Sequence, residues 1–499
     1  MTLFRAGGIL LHVTSLPGGH GIGDLGPEAY AWLEWLRRAG CALWQVLPLG
    51  PVGPGWSPYQ SPSSFAGNPL LISLERLAED GWLGKSFVEA VRHTEPRVDF
   101  EAVHAYKRAR LLQAAEAWRQ RGRPGRESFE AWRDAHRHWL DVYALFVALK
   151  EAQGGVAWQA WEPDLARRRP EAIAAAARRL ADRIETVALE QYWFWSQWER
   201  LRSAARASGI RIIGDLPIYV ALDSADVWSR PDLFELDGDG RPLVVAGVPP
   251  DYFSSTGQLW SNPIYRWERH RAEGYRWWIE RVRHLTRQVD FVRIDHFRGL
   301  EAFWEVPADA PTAATGRWVP GPGADLLEQL RNALGGLPLV AEDLGVITPG
   351  VRQLLDRFDL PGMKVLQFGL EAGPDEDDVP ARYPRGCVAY TATHDNDTST
   401  GWFQSADETT REFARRILRS DGADIAWAMI RAVWESPADW AIAPLQDVLG
   451  LGSEARMNIP GRADGNWTWR TVPGALTDDL AGRLRDLGQA SGRVVGRPD

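Results

Sequence analysis

The chain has 499 residues, of which 45% are apolar and 25% charged, and its net charge is −9. This composition excludes a disordered or fibrous protein, and an acidic chain without a basic tract argues against nucleic acid and anionic membrane surfaces as partners. No signal segment and no apolar run of roughly 18 residues, the length of a membrane span, is found. The two cysteines, Cys41 and Cys387, lie in apolar runs. They predict buried thiols and a cytoplasmic protein.

The first part of the chain predicts a β/α/β unit. Residues 8–14 are expected to form the first strand, and residues 42–49 the second. Between them a helix begins at Pro27, a residue suited to the first helical turn, and ends at Gly40.

The alternation then stops, because residues 50–208 contain no comparable strand and are predicted to be an insertion after the second strand. Its first part is a loop rich in proline and aromatic residues, including Tyr59. Such a loop suits either a platform for sugar rings or a packed surface loop, and both interpretations stay open. The rest of the insertion, from about residue 77, has the mixed charge and apolar spacing of an all-helical subdomain.

The third strand is predicted over residues 210–215 and ends at Asp215. A second insertion, residues 221–287, follows it. Within this insertion, glycines and aromatic residues at 247–262 suggest a mobile lid, with a rigid Ω-loop as the alternative.

From residue 290 onwards strands and helices alternate regularly. The remaining strands are predicted at 290–295, 337–342, 363–368, 387–395 and 440–445. Eight strands alternating with helices predict an α/β fold, a (β/α)8 TIM barrel with large insertions, one of them mainly helical, on the C-terminal face of the barrel. Residues 1–499 are therefore expected to form a single catalytic domain.

Four of these strands end in acidic side chains, namely Asp215, Asp295, Glu342 and Asp395. The C-terminal ends of barrel strands meet at one mouth, where the active sites of such barrels lie. Arg293 is two residues from Asp295 and shares its side of the strand, so it should keep Asp295 ionised. We therefore expect the catalytic residues to lie at these strand ends.

Carboxyl groups in this arrangement suit retaining glycoside chemistry, in which nucleophile and acid lie about 5–5.5 Å apart. Glu342 follows a buried apolar strand, so burial should raise its pKa and keep it protonated as the acid. Metal-assisted hydrolysis is a competing interpretation, but His12 stands alone where metal-binding barrels often have a His-x-His pair. A silent glucan-binding protein ranks last, because burying three carboxylates would then be costly without a function.

Three long segments resemble the signature segments of the 4-α-glucanotransferases, also called amylomaltases or disproportionating enzymes, of glycoside hydrolase family 77 in the α-amylase clan. They read RIDHFRG at 293–299, AEDLG at 341–345 and THDNDT at 393–398. Shorter matches lie at 23–26, 57–61, 214–218, 247–253 and 465–467. The resemblance extends over most of the chain and is weakest at about 80–200.

The resemblance implies a role for each matching residue. Asp295 would be the nucleophile that forms a covalent glucosyl-enzyme, Glu342 the acid/base and Asp395 the transition-state stabiliser, while Arg293 would orient Asp295. The residues implied in substrate binding are His296, His394 and Asp215 for hydroxyl groups, Tyr59, Trp260 and Phe368 for sugar rings, and Ser57, Gln258 and Asn466 as weaker candidates.

The resemblance also implies the partners. The donors would be α-1,4-glucans or maltooligosaccharides, and the acceptors glucose or maltooligosaccharides. Cyclic glucans are a further product of such a reaction. It implies no organic cofactor and no catalytic metal. The lid at 247–262, with apolar Val248, Tyr252, Phe253 and Trp260, would exclude water and so favour transfer over hydrolysis.

Several positions depart from the family pattern. Trp56 stands where an aspartate is usual, and Ala392 stands where a glycine is usual. The runs 369–372 and 379–383 lack the usual Phe-Asp-rich and His-Asn patterns. These positions touch the acceptor and donor grooves rather than the three carboxylates, so we expect them to affect product size and remote subsites.

Overall fold

The computed structural model describes residues 3–84, 88, 95–250, 255–373 and 378–494. Within these ranges the chain forms twelve strands. They are β1 (Ala6–Leu10), β2 (Leu43–Gln45), β3 (Arg211–Leu216), β4 (Val244–Val248), β5 (Gln258–Pro263), β6 (Phe291–Ile294), β7 (Ala302–Pro307), β8 (Arg317–Pro320), β9 (Leu339–Ala341), β10 (Met363–Val365), β11 (Val388–Tyr390) and β12 (Trp440–Pro444).

Eight of these strands are parallel neighbours in the order β10-β11-β12-β1-β2-β3-β6-β9, which is a nearly closed barrel. The predicted (β/α)8 barrel is confirmed. Its strands are short and apolar because both of their faces are covered, as is usual in parallel sheets. Gly8 shows how closely they pack: a Cβ atom on it would lie 2.5 Å from Cβ of Leu43 on the neighbouring strand.

The described residues also form eighteen α-helices, besides short 3-10 turns. They are α1 (Pro27–Arg38), α2 (Leu74–Glu79), α3 (Phe100–Gln120), α4 (Arg126–Ala152), α5 (Pro163–Ala166), α6 (Pro170–Arg179), α7 (Ala181–Ala207), α8 (Ala225–Ser229), α9 (Trp267–Ala272), α10 (Arg276–Gln288), α11 (Gly323–Leu334), α12 (Pro349–Phe358), α13 (Leu366–Glu371), α14 (Ser399–Ser405), α15 (Glu408–Leu418), α16 (Ile425–Glu435), α17 (Leu445–Val448) and α18 (Asp478–Ala490). None of them combines the length and the apolar character needed to cross a membrane.

Three of the predicted strand boundaries were wrong. The first strand ends at Leu10 rather than at residue 14, since the chain then turns and the Ser15 N–H donates to the His12 carbonyl over 3.0 Å. The second strand ends at Gln45, before Pro48, which has no N–H to donate. The seventh strand stops at Tyr390, so that Asp395 is reached through a loop.

The sixth predicted strand was also too long. Only Met363–Val365 is strand, and α13 begins at Leu366. The reason is visible in the spacing, because Leu366 and Leu370 are four residues apart and both are fully buried, as one face of a helix allows. Phe368 therefore lies on a helix and not on a barrel strand.

The segment between β2 and β3 is mainly helical, and it packs directly on the barrel. The indole of Trp198 on α7 lies 6.5 Å from that of Trp44 on β2, and its Nε1 donates to the Gln288 carbonyl at 3.0 Å. One continuous apolar core includes side chains of the barrel and of α3, α4 and α7.

A buried ion pair fastens the helical segment to the barrel. The ammonium of Lys107 on α3 donates to Oδ2 of Asp24 at 2.7 Å and to the carbonyls of Leu70 and Ile72 at 2.8 and 2.9 Å. The Lys107 side chain is 0% exposed. All three donors of the ammonium are therefore satisfied, as a buried cation requires.

A second sheet, antiparallel and of four strands, has the order β5-β4-β7-β8. It combines strands from the segment before β6 with strands from the segment after it, a pairing that the sequence did not predict. Of the expected lid, 247–262, both arms are strands of this sheet, while residues 251–254, including Tyr252 and Phe253, lie outside the described residues.

Candidate active site

Arg293 connects two acidic side chains of the site, Asp215 and Asp295. It is paired in register with Asp215 across β6 and β3, so both side chains point to the same face. Nη1 of Arg293 donates to both oxygens of Asp215 at 2.8 and 2.7 Å, and Nη2 donates to Oδ1 of Asp295 at 2.8 Å. These two carboxylates raise the pKa of the buried guanidinium well above its usual value although burial opposes them. One arginine thus holds two of the four predicted acids.

Asp295 follows β6 directly, and two opposite influences set its ionisation. Burial raises its pKa to about 6, and the carboxylates of Asp215 and Asp395 act in the same direction, while Arg293 opposes them. The predicted effect of Arg293 is present, but it limits the increase rather than reversing it. Asp295 is therefore mainly ionised at neutral pH and takes up a proton in mildly acidic solution.

Glu342 follows β9 directly, and the protein backbone fixes its carboxyl group. Oε2 accepts from the His296 N–H at 2.6 Å, and Oε1 accepts from the Leu344 N–H at 3.0 Å. His296 presents its N–H from a left-handed conformation, φ 53°, which is uncommon for a non-glycine residue. Burial raises the pKa of Glu342 to about 7, and Asp295 contributes to the increase. The direction agrees with the expectation from its buried strand.

Asp395 is held by residues that sequence analysis did not identify. Asn458 Nδ2 donates to Oδ1 of Asp395 at 2.6 Å, and Arg456 Nη2 donates to the Asp395 carbonyl at 2.7 Å. His394 Nε2 lies 3.4 Å from the same Oδ1. In the sequence, the only indication of this role was that Arg456 and Asn458 lie shortly before the matching segment at 465–467. Residues 456–467 thus support the third carboxylate.

Tyr59 reaches the cluster from the insertion after β2. Its hydroxyl donates to Oδ2 of Asp215 at 2.7 Å, and its ring stacks on that of His394 with 5.2 Å between centroids. Ser57 Oγ accepts from the Tyr59 N–H at 3.2 Å, so this residue orients Tyr59. The ring of Trp467 lies near both stacked rings, with its centroid 5.6 Å from that of Tyr59 and 6.0 Å from that of His394.

Trp260 approaches from the small sheet. Its ring meets that of His296 edge to face with 4.8 Å between centroids, and its Nε1 donates to Oε1 of Gln258 at 3.1 Å. Gln258 therefore fixes the orientation of the indole. Trp260 therefore contacts His296, whereas Tyr59 contacts His394 and Asp215.

Phe368 and Asn466 were also predicted to bind substrate, and their surroundings differ from those of Tyr59 and Trp260. Phe368 lies on α13 and its side chain is 38% exposed, so it is free to contact a ligand. The amide of Asn466 is engaged by its own loop: Oδ1 accepts from the Ile459 N–H at 3.0 Å, and Nδ2 donates to the Arg462 carbonyl at 2.8 Å. These bonds show that Asn466 supports its loop, and its contact with substrate stays a prediction.

The departures from the family pattern can also be located. Trp56 stacks on Phe100 of α3, with centroids 5.3 Å apart, and thereby joins the aromatic loop to the helical segment. Ala392 is buried, two residues before His394 in the chain. Residues 369–371 belong to α13, and residues 380–382 form a 3-10 turn.

The barrel and the acidic side chains at the C-terminal ends of its strands define the class of this protein: it is a (β/α)8-barrel enzyme with a carboxylate site.

Comparison with known proteins gives the family. A family model described as 4-alpha-glucanotransferase matches residues 11–475. The chain is 48% identical to a 4-alpha-glucanotransferase of Thermus thermophilus, with 99% of this chain and 100% of the relative covered. It is 47% identical to one of Synechocystis sp., with 99% of each covered. The chain therefore belongs to the 4-alpha-glucanotransferase family.

A solved structure agrees with this assignment. The amylomaltase from Streptococcus agalactiae in complex with acarbose superposes with a TM-score of 0.95 at 37% identity, and 98% of this chain and 99% of that chain are covered. The resemblance inferred from the signature segments is confirmed, and 4-alpha-glucanotransferase activity follows for this protein.

Proposed function

We propose that this enzyme transfers α-1,4-glucan segments by a retaining double displacement. An oxygen of Asp295 attacks the anomeric carbon, the bond to the leaving glycosidic oxygen breaks, and that oxygen takes the proton of Glu342. In the second step the 4-hydroxyl of an acceptor gives its proton to Glu342, its oxygen bonds to the anomeric carbon, and the ester bond to Asp295 breaks. Asp395 stabilises the positive charge that develops on the sugar ring in both steps.

The different partners of the two carboxyl groups carry this proposal: the Arg293 guanidinium bonds Asp295 at 2.8 Å, whereas the Glu342 carboxyl accepts from the backbone N–H groups of His296 and Leu344. Burial raises the pKa of Asp295 to about 6 and that of Glu342 to about 7, and the direct bond from Arg293 favours the ionised form of Asp295. A nucleophile must be ionised and an acid must be protonated at the same pH.

We further propose α-1,4-glucans and maltooligosaccharides as donors and glucose or maltooligosaccharides as acceptors, with cyclic glucans as a further product class. The acarbose bound to the Streptococcus agalactiae amylomaltase supports a sugar ligand of this kind. On this chain, His296, His394 and Asp215 would bind hydroxyl groups, while Tyr59, Trp260 and the exposed Phe368 would contact sugar rings.

We also propose one catalytic domain and a cytoplasmic location. We take the whole chain as one catalytic unit, with residues 50–208 and 221–287 as insertions in it, because a single apolar core joins barrel and helices. A reducing, cytoplasmic location is supported by Cys41 and Cys387, which are buried free thiols whose pKa burial raises to about 12.

Incubation with maltotriose, with and without a chelator, tests the function. Transfer predicts glucose and a ladder of longer glucans at a constant number of reducing ends. A rising number of reducing ends without longer products would instead indicate a hydrolase. Loss of activity with the chelator would return a metal to the mechanism, and absence of any reaction would favour a glucan-binding protein.

The dependence of kcat/KM on pH should follow a bell-shaped curve. Activity falls below about pH 6 because Asp295 becomes protonated, and it falls above about pH 7 because Glu342 loses its proton. Initial rates of glucose release from maltotriose between pH 4 and pH 9 would measure both limbs. A profile that stays flat across this range would contradict the assigned roles.

Replacing Trp260 with alanine should lower transfer relative to hydrolysis, because the indole beside His296 would no longer exclude water. The ratio of longer glucans to new reducing ends measures the change, and we expect a decrease of roughly tenfold. Leu259 is the matched control, since it is 38% exposed and alternates to the other face of β5. Equal ratios in Trp260→Ala and Leu259→Ala would refute the lid proposal.

A further inference from the structure

The barrel closes between β9 and β10, the two end strands of the parallel sheet. The Ala341 N–H donates to the Pro361 carbonyl at 2.9 Å. In a regular parallel ladder the next bond would run from the Met363 N–H to the Ala341 carbonyl. The Met363 N–H donates instead to Oδ1 of Asp343, at 2.6 Å. A side-chain carboxylate therefore takes the place of a backbone carbonyl where the barrel closes.

Gly362, next to Met363, leaves the space that the Asp343 carboxylate occupies. A Cβ atom on Gly362 would lie 2.4 Å from Oδ2 and 2.7 Å from Oδ1 of Asp343. Contacts this short do not occur, so any side chain at position 362 would displace the carboxylate. The position of the Asp343 carboxylate therefore requires glycine at position 362, and the two residues together form the closure of the barrel.

This closure lies next to the acid/base. Asp343 stands between Glu342 and Leu344, and the Leu344 N–H is one of the two donors that hold the Glu342 carboxyl group. The other donor, the His296 N–H, comes from the opposite side, beyond β6. A shift of the Asp343 backbone would therefore move Glu342 and one of its donors together, relative to His296 and the nucleophile.

We propose that Asp343 is a positioning residue of the transfer reaction. By bonding the Met363 N–H across the barrel closure, it fixes the backbone that carries Glu342 and keeps its proton directed at the leaving oxygen. This inference rests on the proposed acid/base role of Glu342. Its basis is that small misplacements of a catalytic group, on the order of 1 Å, cost large factors in rate.

A substrate whose leaving group needs little acid assistance distinguishes a role of Asp343 in positioning Glu342 from a role in stability alone. Fluoride leaves α-maltosyl fluoride without a full proton transfer, whereas the leaving sugar of maltotriose requires one. We expect Asp343→Ala and Gly362→Ala to lower kcat for maltotriose roughly tenfold, with KM and the burst rate of fluoride release changed less than about twofold. Asp343→Asn keeps an acceptor oxygen for the Met363 N–H and should recover most of the loss.

Two controls complete the experiment. Asp356→Ala makes the same substitution at an exposed carboxylate on α12, the helix between β9 and β10, and should leave both donors unaffected. Glu342→Gln should lower maltotriose turnover far more than fluoride release. If it lowers both equally, the acid/base role itself is wrong.

The results for the Asp343 variants can then be interpreted separately from the acid/base role of Glu342. If Glu342→Gln discriminates between the donors but Asp343→Ala and Gly362→Ala lower both equally, lower neither, or fail to fold, Asp343 is only structural and the inference is overturned. A selective loss on maltotriose, with recovery in Asp343→Asn, supports it.

Discussion

Replacing Asp295 with asparagine is expected to abolish transfer, with a loss in kcat of roughly 10⁴-fold or more, because a neutral amide cannot form the covalent glucosyl-enzyme. The substitution preserves the shape of the side chain, and the amide oxygen can still accept the 2.8 Å bond from Arg293 Nη2. Product formation from maltotriose, followed over hours by chromatography, would measure the residual rate.

Binding provides the control for this variant. Asp295→Asn should retain its affinity for maltooligosaccharides, measured by calorimetry, since Tyr59, Trp260 and the histidines are unchanged. Loss of binding together with loss of turnover would point to an altered fold rather than to a missing nucleophile. Appreciable transfer by the variant would mean that another residue attacks the sugar.

Replacing Lys107 with methionine should lower the free energy of unfolding by about 3–5 kcal/mol, because it leaves the carboxylate of Asp24 buried without its cation. Burial already raises the pKa of Asp24, and the nearby ammonium opposes this. The variant also removes the donor to the carbonyls of Leu70 and Ile72. Denaturant unfolding followed by tryptophan fluorescence would measure the change.

The adjacent residue offers a matched comparison. Arg108 lies on the same helix, but its side chain is 43% exposed and lies 3.2 Å from Glu151 in a surface pair. Surface pairs contribute little, so Arg108→Met should change stability by less than about 1 kcal/mol. If the two variants are equally stable, the buried pair does not fasten the helical segment to the barrel.

Local rules predicted the barrel and the positions of two of its acidic side chains, Asp295 and Glu342. Asp295 and Glu342 each follow a buried strand directly, and parallel strands bring their C-terminal ends to one mouth whatever the connections between them. Arg293 and Asp295 were expected to interact because alternate residues of a strand share a face, and they do so at 2.8 Å.

Predictions that depended on the ends of elements were less accurate. Residues 363–368 have the apolar character of a strand, yet the chain becomes helical at Leu366. A short apolar run is compatible with either structure, and the choice depended on the core that buries Leu366 and Leu370. Phe368 consequently lies on the exposed side of α13.

The sequence by itself determined the fold class, the family and the two acids that directly follow strands, Asp295 and Glu342, because these follow from periodicity and from residues close together in the chain. Only the tertiary structure decided which distant groups meet the acidic side chains. Asn458 meets Asp395, Tyr59 meets Asp215, and the Met363 N–H meets the Asp343 carboxylate. Each of these contacts depends on the path of a loop or on how the barrel closes, and no local pattern of side chains encodes such a path.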